Sequence, residues 1–317
     1  MANIPQPLST QELERCLSLW RSGEALAMPT ETVYGLAVDA TNADAVELVY
    51  RLKGRPSHNP LILHVANAEM AQRYVEWNVL AERLASLYWP GALTLVLPKK
   101  AEADIAPACA PNTDRLAVRC PAHPIAQQLL RAFDGAIAAP SANRSGRISP
   151  TQSTHVREEF ADTDLHIVEG GACAQGLEST VLWVGDDHVA ILRPGGITKE
   201  MLEAKDIAVG QREEDVSALS APGQLTSHYA PRLSVRLNAE GAREGEAFIG
   251  FGPTELPCAY NLSESGDLTE AAQHLFAHLR AADQPEKYSA IAVMHIPEGG
   301  VGSAINDRLK RAAAERN

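Results

Sequence analysis

The chain has 317 residues, 45% hydrophobic and 21% charged, and no apolar run reaches the length of a membrane span. Asp plus Glu number 40 against 28 for Lys plus Arg, a formal charge of -12. That balance argues against a protein whose main work is gripping a nucleic-acid backbone, but it leaves room for a small anionic substrate held by a few local cations.

The five cysteines (Cys16, Cys109, Cys120, Cys173, Cys258) are scattered, with no CxxC, and read as reduced thiols, not a disulfide frame or zinc site. The opening Met1-Ala2-Asn3-Ile4-Pro5 lacks the basic and apolar regions of a signal peptide, so a cytoplasmic protein is expected.

Ser9-Thr10-Gln11-Glu12 has the form of a capping box and opens a helix through about Arg21. Ala25–Met28 reads as a buried strand stopped by Pro29. Three hydroxyls (Thr30, Thr32, Tyr34) and Glu31 follow before Gly35, the kind of strand end on which a small-molecule site is built. Asn42 caps a second helix, which ends at Arg51-Leu52-Lys53-Gly54-Arg55-Pro56. Two cations around a glycine suit a phosphate; they equally suit a helix C-terminus with Gly54 as its cap.

A strand at Leu61–Val65 comes next, ending near His64, which alone reads as a satisfied core histidine. Asn67 caps a further helix, helical spacing resumes around Leu80–Leu87 until Trp89-Pro90-Gly91, and Leu93–Leu97 is a strand. Leu116–Cys120 is a short strand with Arg119 inside it; if buried, that arginine needs an anionic partner, and a carboxylate fits its planar fork. His123-Pro124 starts a helix, and the small-residue strand Ala136–Ala139 leads into Pro140-Ser141-Ala142-Asn143. That segment is either an anion-holding turn or an ordinary Ser/Asn turn.

Ser149-Pro150 is expected as N-cap and first helical position of a helix to about Phe160. A strand at His166–Val168 and a hairpin of Ser179–Val184 and Val189–Arg193 around Asp186-Asp187 follow. Thr198 caps a short helix. The expected division is a first domain at 1–207, a linker or lid at 208–232 containing His228-Tyr229-Ala230-Pro231, and a small C-terminal α/β domain at 233–317. In the last, strands at 234–237, 247–251 and 290–294 alternate with a long helix around Leu268–Leu279, which predicts a parallel sheet. The catalytic signatures GxxxxGK[ST], HExxH and GxSxG are missing.

Taken in order, Pro29–Leu36, Lys53-Gly54-Arg55-Pro56, Asn59-Pro60-Leu61, Pro90–Thr94, Ala117-Val118-Arg119, Pro140–Asn143, Ser179-Thr180-Val181 and Arg193-Pro194-Gly195 resemble the Sua5/YrdC family. His228–Pro231 and Ala304–Leu309 resemble its longer Sua5 branch. The resemblance implies an α/β fold: a YrdC-like open, twisted mixed sheet with a large concave cavity, plus a small Rossmann-like domain. It implies an L-threonylcarbamoyladenylate synthase, a nucleotidyltransferase joining L-threonine, bicarbonate or CO2, and ATP into threonylcarbamoyl-AMP with release of pyrophosphate. The product would pass to the transferase machinery that modifies tRNA.

By similarity, Thr32, His64, Arg119, Ala139 and Ser179 line the threonine side. Arg55, Asn59, Arg115, Ser141, Asn143, Ser149, Arg193 and Tyr229 hold the nucleotide, with Lys53 and Arg55 in the catalytic role. Mg2+ accompanies ATP, and no metal ligand is named. Leu225 and Ser227 depart from the lysine and arginine common at those linker places. An RNA-binding module using the concave face is the alternative; the acidic balance and the lack of aromatic-basic interleaving disfavour it, so weak or no tRNA binding is expected.

Overall fold

A computed structural model describes residues 6–211 and 228–315. The first helix, α1 (Thr10–Arg21), starts where Ser9 Oγ accepts from the Glu12 amide, as the capping box requires. Then come β1 (Leu26–Met28), β2 (Gly35–Asp39), α2 (Ala43–Lys53, capped by Asn42), β3 (Ile62–His64), α3 (Ala68–Ala71) and α4 (Val79–Tyr88). β4 (Leu93–Pro98), β5 (Arg115–Arg119), α5 (Pro124–Phe133), β6 (Ile137–Ala138), α6 (Ser153–Glu159) and β7 (His166–Ile167) follow. The hairpin β8 (Thr180–Val184) and β9 (Val189–Arg193) and the helix α7 (Lys199–Glu203) complete this part.

These nine strands form one mixed sheet in the order β7-β1-β2-β6-β3-β5-β4-β8-β9. β3 and β5 run parallel, with Leu63 beside Val118 and His64 beside Arg119. β6 lies antiparallel to both β2 and β3, although it is only two residues long. Small side chains explain its place: Ala138 and Ala139 let neighbouring backbone come close, and a Cβ added to Gly35 would lie 3.1 Å from that of Ala139.

β2 was not anticipated, because the polar run before it masked a strand that is buried from Gly35 to Val38. The Ser149-Pro150 expectation is also corrected. α6 begins at Ser153 after Gln152, and Ser149 is fully buried with its hydroxyl donating to Glu178 (2.6 Å). As an N-cap the serine would accept from a helix amide; here its hydroxyl instead donates to a buried carboxylate, a charge-assisted bond that holds it away from the helix start.

The second sheet is built from β10 (Ser234–Arg236), β11 (Glu246–Gly250), β12 (Tyr260–Asn261) and β13 (Ala290–Val293), in the order β10-β13-β11-β12, all parallel as the alternation predicts. α8 (Leu268–Ala282) and α9 (Gly302–Ala312) are the helices of this part. α8 buries Leu275, Phe276 and Leu279 completely, each contributing about 1.5–3 kcal/mol. Residues 212–227 of the expected linker, with Leu225 and Ser227, lie outside the described residues.

The second core does not stop at the second sheet. Val33, Ile148, Leu177 and Tyr229 pack into the cluster that holds Phe276 and Leu279. Arg280 donates to the Ile148 carbonyl and pairs with Glu159 (3.4 Å), and the Ala230 amide donates to Gly146 (2.8 Å). At Gly176, with φ +70°, an added Cβ would lie 2.4 Å from the Gln273 carbonyl oxygen on α8. Gly176→Ala should therefore push the loop off α8 and cost about 1–3 kcal/mol, seen as a lower midpoint in urea unfolding. A wild-type midpoint would show that this approach gives way freely.

Candidate active site

The ends of β3, β5 and β6 and the loops after β1 and before β8 converge on one cleft. One side is built on Arg119 at the end of β5. Its Nη2 donates to Glu31 Oε1 (2.6 Å), its Nη1 to Thr32 Oγ1 (2.8 Å) and its Nε to the Gly91 carbonyl (3.2 Å). Glu31 Oε2 accepts from the Ala122 amide (3.0 Å), so both carboxylate oxygens are engaged.

Arg119 is 3% exposed, and the anionic partner that its burial demands is therefore supplied by the chain itself. Among the described residues, these bonds leave one N–H on each terminal nitrogen for a ligand. Thr30 fixes the loop by donating to the Val33 carbonyl (2.6 Å) and pairing with Thr32 (2.9 Å). His64, beside Arg119 across the strand pair, has Nδ1 at 3.2 Å from the Ile62 carbonyl. Ser179 Oγ shares a bond with Thr94 Oγ1 (2.7 Å) and faces the same cleft.

Arg55, Ser141, Glu178, Arg193, His228 and Tyr229 line the same cleft. Gly54 is the left-handed C-cap of α2 (φ 59°), so the cap reading of this segment holds, and the turn then delivers Arg55 to the cleft. Arg55 Nη2 donates to the Pro60 carbonyl (3.0 Å). Arg193 donates from Nη2 and Nε to the Ser179 carbonyl (2.9 and 3.1 Å).

Tyr229, at φ 62°, stacks on Phe276 (ring centroids 5.3 Å apart) with Arg308 over its ring (5.3 Å). Its hydroxyl is buried with no partner among the described residues, as is Nδ1 of His228. Orphaned polar atoms on a cleft wall are the groups that a bound ligand would satisfy.

Of the residues expected from sequence, Thr32, His64, Arg119, Ala139, Ser179, Arg55, Ser141, Arg193 and Tyr229 line this cleft together. The rest stand elsewhere. Lys53 is buried behind the Ser141 turn, and its Nζ donates to the carbonyls of Ser141 (2.5 Å) and Asn143. Burial, with Arg55 nearby, pushes its pKa well down. Asn143 braces the same turn by donating to the Arg144 and Arg147 carbonyls (2.8 and 2.9 Å). Asn59 contributes its carbonyl to Tyr50 (2.7 Å) and Arg55 (3.4 Å), and Ser149 stands behind Glu178.

Arg115 is the plain misplacement. It sits at the opposite end of β5 from Arg119, roughly 13 Å away for four strand residues. There it lies over the Trp183 ring (5.0 Å) in a separate surface groove.

Glu31, Glu178 and Arg308 are among the residues at the site that were not expected there from sequence, as are Thr30 and His228. Glu31 and Glu178 were visible within their motifs, but a carboxylate reads as a paired wall only once its arginine is known. Arg308 left a signal: on α9 it falls on the face of Ala304, Ile305 and Leu309, a charge among buried apolar residues. It is completely buried and donates to Glu178 Oε2 (3.0 Å) and the Pro194 carbonyl (2.9 Å). Burial pushes the Glu178 carboxyl up, but Arg308, Arg193 and the Ser149 hydroxyl outweigh it and hold it below its usual value.

Burial, with cationic neighbours, depresses His64 and His228 to a pKa of about 3 each. An unfolded chain titrates its histidines near 6.5, so between those values it binds more protons than the fold does. Stability should fall as pH drops from about 6.5 toward 3, and the slope should be shallower in the His64→Gln/His228→Gln protein. Denaturant unfolding at pH 7.5, 6 and 5 checks this; equal stability at all three would contradict it.

Comparison with known proteins gives concordant matches. A family model of Sua5, YciO and YrdC, described as "Telomere recombination", matches residues 18–195, and one described as "Threonylcarbamoyl-AMP synthase, C-terminal domain" matches residues 197–314. The threonylcarbamoyl-AMP synthase of Bacillus subtilis is 37% identical, with 99% of this chain and 97% of that protein aligned. That of Pyrococcus abyssi is 34% identical, with the same coverage. Among solved structures, P. abyssi Sua5 complexed with L-threonine matches with a TM-score of 0.86 at 34% identity, covering 98% of this chain and 96% of that one. E. coli YciO, at 20% identity and a TM-score of 0.53 over 60% of this chain, shares the fold of the first sheet. On these matches, the chain belongs to the Sua5/YrdC family, in its long branch with a C-terminal Sua5 domain.

Proposed function

We propose that this chain is a threonylcarbamoyl-AMP synthase: an adenylyl-transferring enzyme that makes threonylcarbamoyl-AMP and pyrophosphate from L-threonine, bicarbonate or CO2, and ATP. The observation that carries this reading is the arginine fork of Arg119, braced by Glu31 and Thr32 with two N–H groups left over, facing a cleft whose other wall presents Arg55 and Arg193. A carboxylate on one side and a polyphosphate on the other match that division of cations. The relatives named above, and a neighbour whose structure is complexed with L-threonine, support it.

The reaction needs position and electrostatics, not a covalent enzyme intermediate. The threonine amine attacks CO2 to give a carbamate. A carbamate oxygen then attacks the α-phosphorus of ATP in line with the departing pyrophosphate. Arg55 stabilises charge on the phosphates; Lys53 serves this step by holding the Ser141–Asn143 turn in shape. Asn59, Ser149 and Asn143 support the nucleotide wall from behind, and Tyr229 closes over it.

Mg2+ enters with ATP. The carboxylate oxygens of Glu31 and Glu178 are all engaged, so this cleft suits an ion carried by phosphates and water. The product is reactive and feeds a separate transferase acting on tRNA. No helix of the described residues is long and apolar enough to cross a membrane, and all five cysteines are free thiols, in keeping with a cytoplasmic enzyme.

The reading is tested with 13C-bicarbonate, Mg·ATP and L-threonine: the adenylate should form only with all three and carry the heavy carbon. Pyrophosphate release that ignores threonine would refute it. Arg55→Ala should slow adenylate formation roughly 100- to 1000-fold with the fold intact, the usual scale for a lost charge-stabilising donor; unchanged turnover would remove Arg55 from the chemistry. L-Serine lacks only a methyl group, worth roughly 1–3 kcal/mol, so it should be a poor but measurable substrate. Complete rejection at high concentration would show a more selective pocket than this one.

A further inference from the structure

Glu178 presents a puzzle. It is a carboxylate, 6% exposed, on the wall of a cleft that otherwise offers arginines to anionic groups. Left free, its charge would repel a phosphate. Neither of its oxygens is free. Oε1 accepts the Ser149 hydroxyl (2.6 Å) and Oε2 accepts Nε of Arg308 (3.0 Å), which reaches it from α9 of the C-terminal part, 130 residues away in sequence.

Arg308 is itself fixed. Its Nη1 pairs with Asp307 (2.7 Å), its Nη2 donates to the carbonyl of Pro194 next to Arg193, and its guanidinium lies over the Tyr229 ring. One side chain therefore touches the cleft carboxylate, the backbone beside a cleft arginine and the aromatic residue that covers the cleft.

We infer that Arg308 is a positioning residue for nucleotide binding: the C-terminal domain inserts it to neutralise and hold Glu178 and to seat Tyr229, so that the nucleotide wall of the cleft shows the full charge of Arg55 and Arg193 only when both domains are joined. This rests on the nucleotide-binding reading of the cleft. Its consequence is directional. Removing Arg308 strands a buried anion on the nucleotide wall, whereas Arg119 and Glu31, which carry the threonine wall, bond to Gly91, Thr32, Ala122 and each other and not to Arg308 or Glu178. The damage should be reversible by removing the stranded charge.

The test is pyrophosphate release by the full chain as wild type, Arg308→Met, Arg308→Lys, Glu178→Gln and the Glu178→Gln/Arg308→Met pair, with ATP and L-threonine varied in turn. Threonine-dependent release by the wild type tests the reaction independently of the variants. R308M should raise KM for ATP about tenfold or more and leave KM for threonine within about twofold. R308K should fall between, since it keeps the charge but loses the fork. The pair should recover most of the ATP affinity. If R308M does not fold, the pair is compared with E178Q alone, and ATP KM values within about threefold of each other support the inference. An unchanged ATP KM in R308M, equal loss of both substrates, or a pair no better than R308M would overturn it.

Discussion

A guanidinium taken out of water must be met by an anion, and that requirement organises this molecule. Two buried arginines serve one cleft, Arg119 from its wall and Arg308 from behind Glu178 and Tyr229, and each is met by a carboxylate of the chain, Glu31 and Glu178. The pairs work differently. Glu31 orients the Arg119 fork and leaves two N–H groups for a ligand. Arg308 does not line the cleft; it donates to Glu178, Asp307 and the Pro194 carbonyl and cancels a charge that the cleft would otherwise carry. Because a buried pair broken on one side costs far more than a surface one, both pairs fix geometry as well as charge.

The scaffold makes this possible by bringing strand ends to one place. Parallel β3 and β5 set His64 beside Arg119, and the two-residue β6, followed by the small Ala139, joins β2 to β3. Lys53 shapes the opposite rim by gathering two carbonyls of the Ser141–Asn143 turn. The second sheet contributes through helices: α8 supplies Phe276 beneath Tyr229, and α9 supplies Arg308. The cleft is thus closed by residues from both parts of the chain.

Periodicity and caps made most elements legible. Ser9, Asn42, Asn67 and Thr198 each accept the expected amide hydrogen bond, and the alternating segment after 233 folds into a parallel sheet. β2 stayed hidden because its apolar residues follow a polar run that reads as a loop. Ser149 misled because Ser-Pro looks like a helix start when no buried carboxylate is known to compete for the hydroxyl. In the site, residue type and order suggested what lines the cleft, but not which cations already have partners. Lys53 and Arg115 look alike in sequence to Arg55 and Arg119. Only the fold commits the lysine to carbonyls and turns Arg115 to the far end of its strand.

The central claim is that the cleft is divided, with the Arg119 fork serving the amino acid and the opposite wall serving the nucleotide. Calorimetric binding of L-threonine and, separately, of Mg·ATP to the Glu31→Gln protein tests it most directly. The account predicts weakened L-threonine binding, because the fork loses its brace, and ATP affinity within about twofold of wild type. Equal losses for both ligands, or an undisturbed affinity for threonine, would contradict the division.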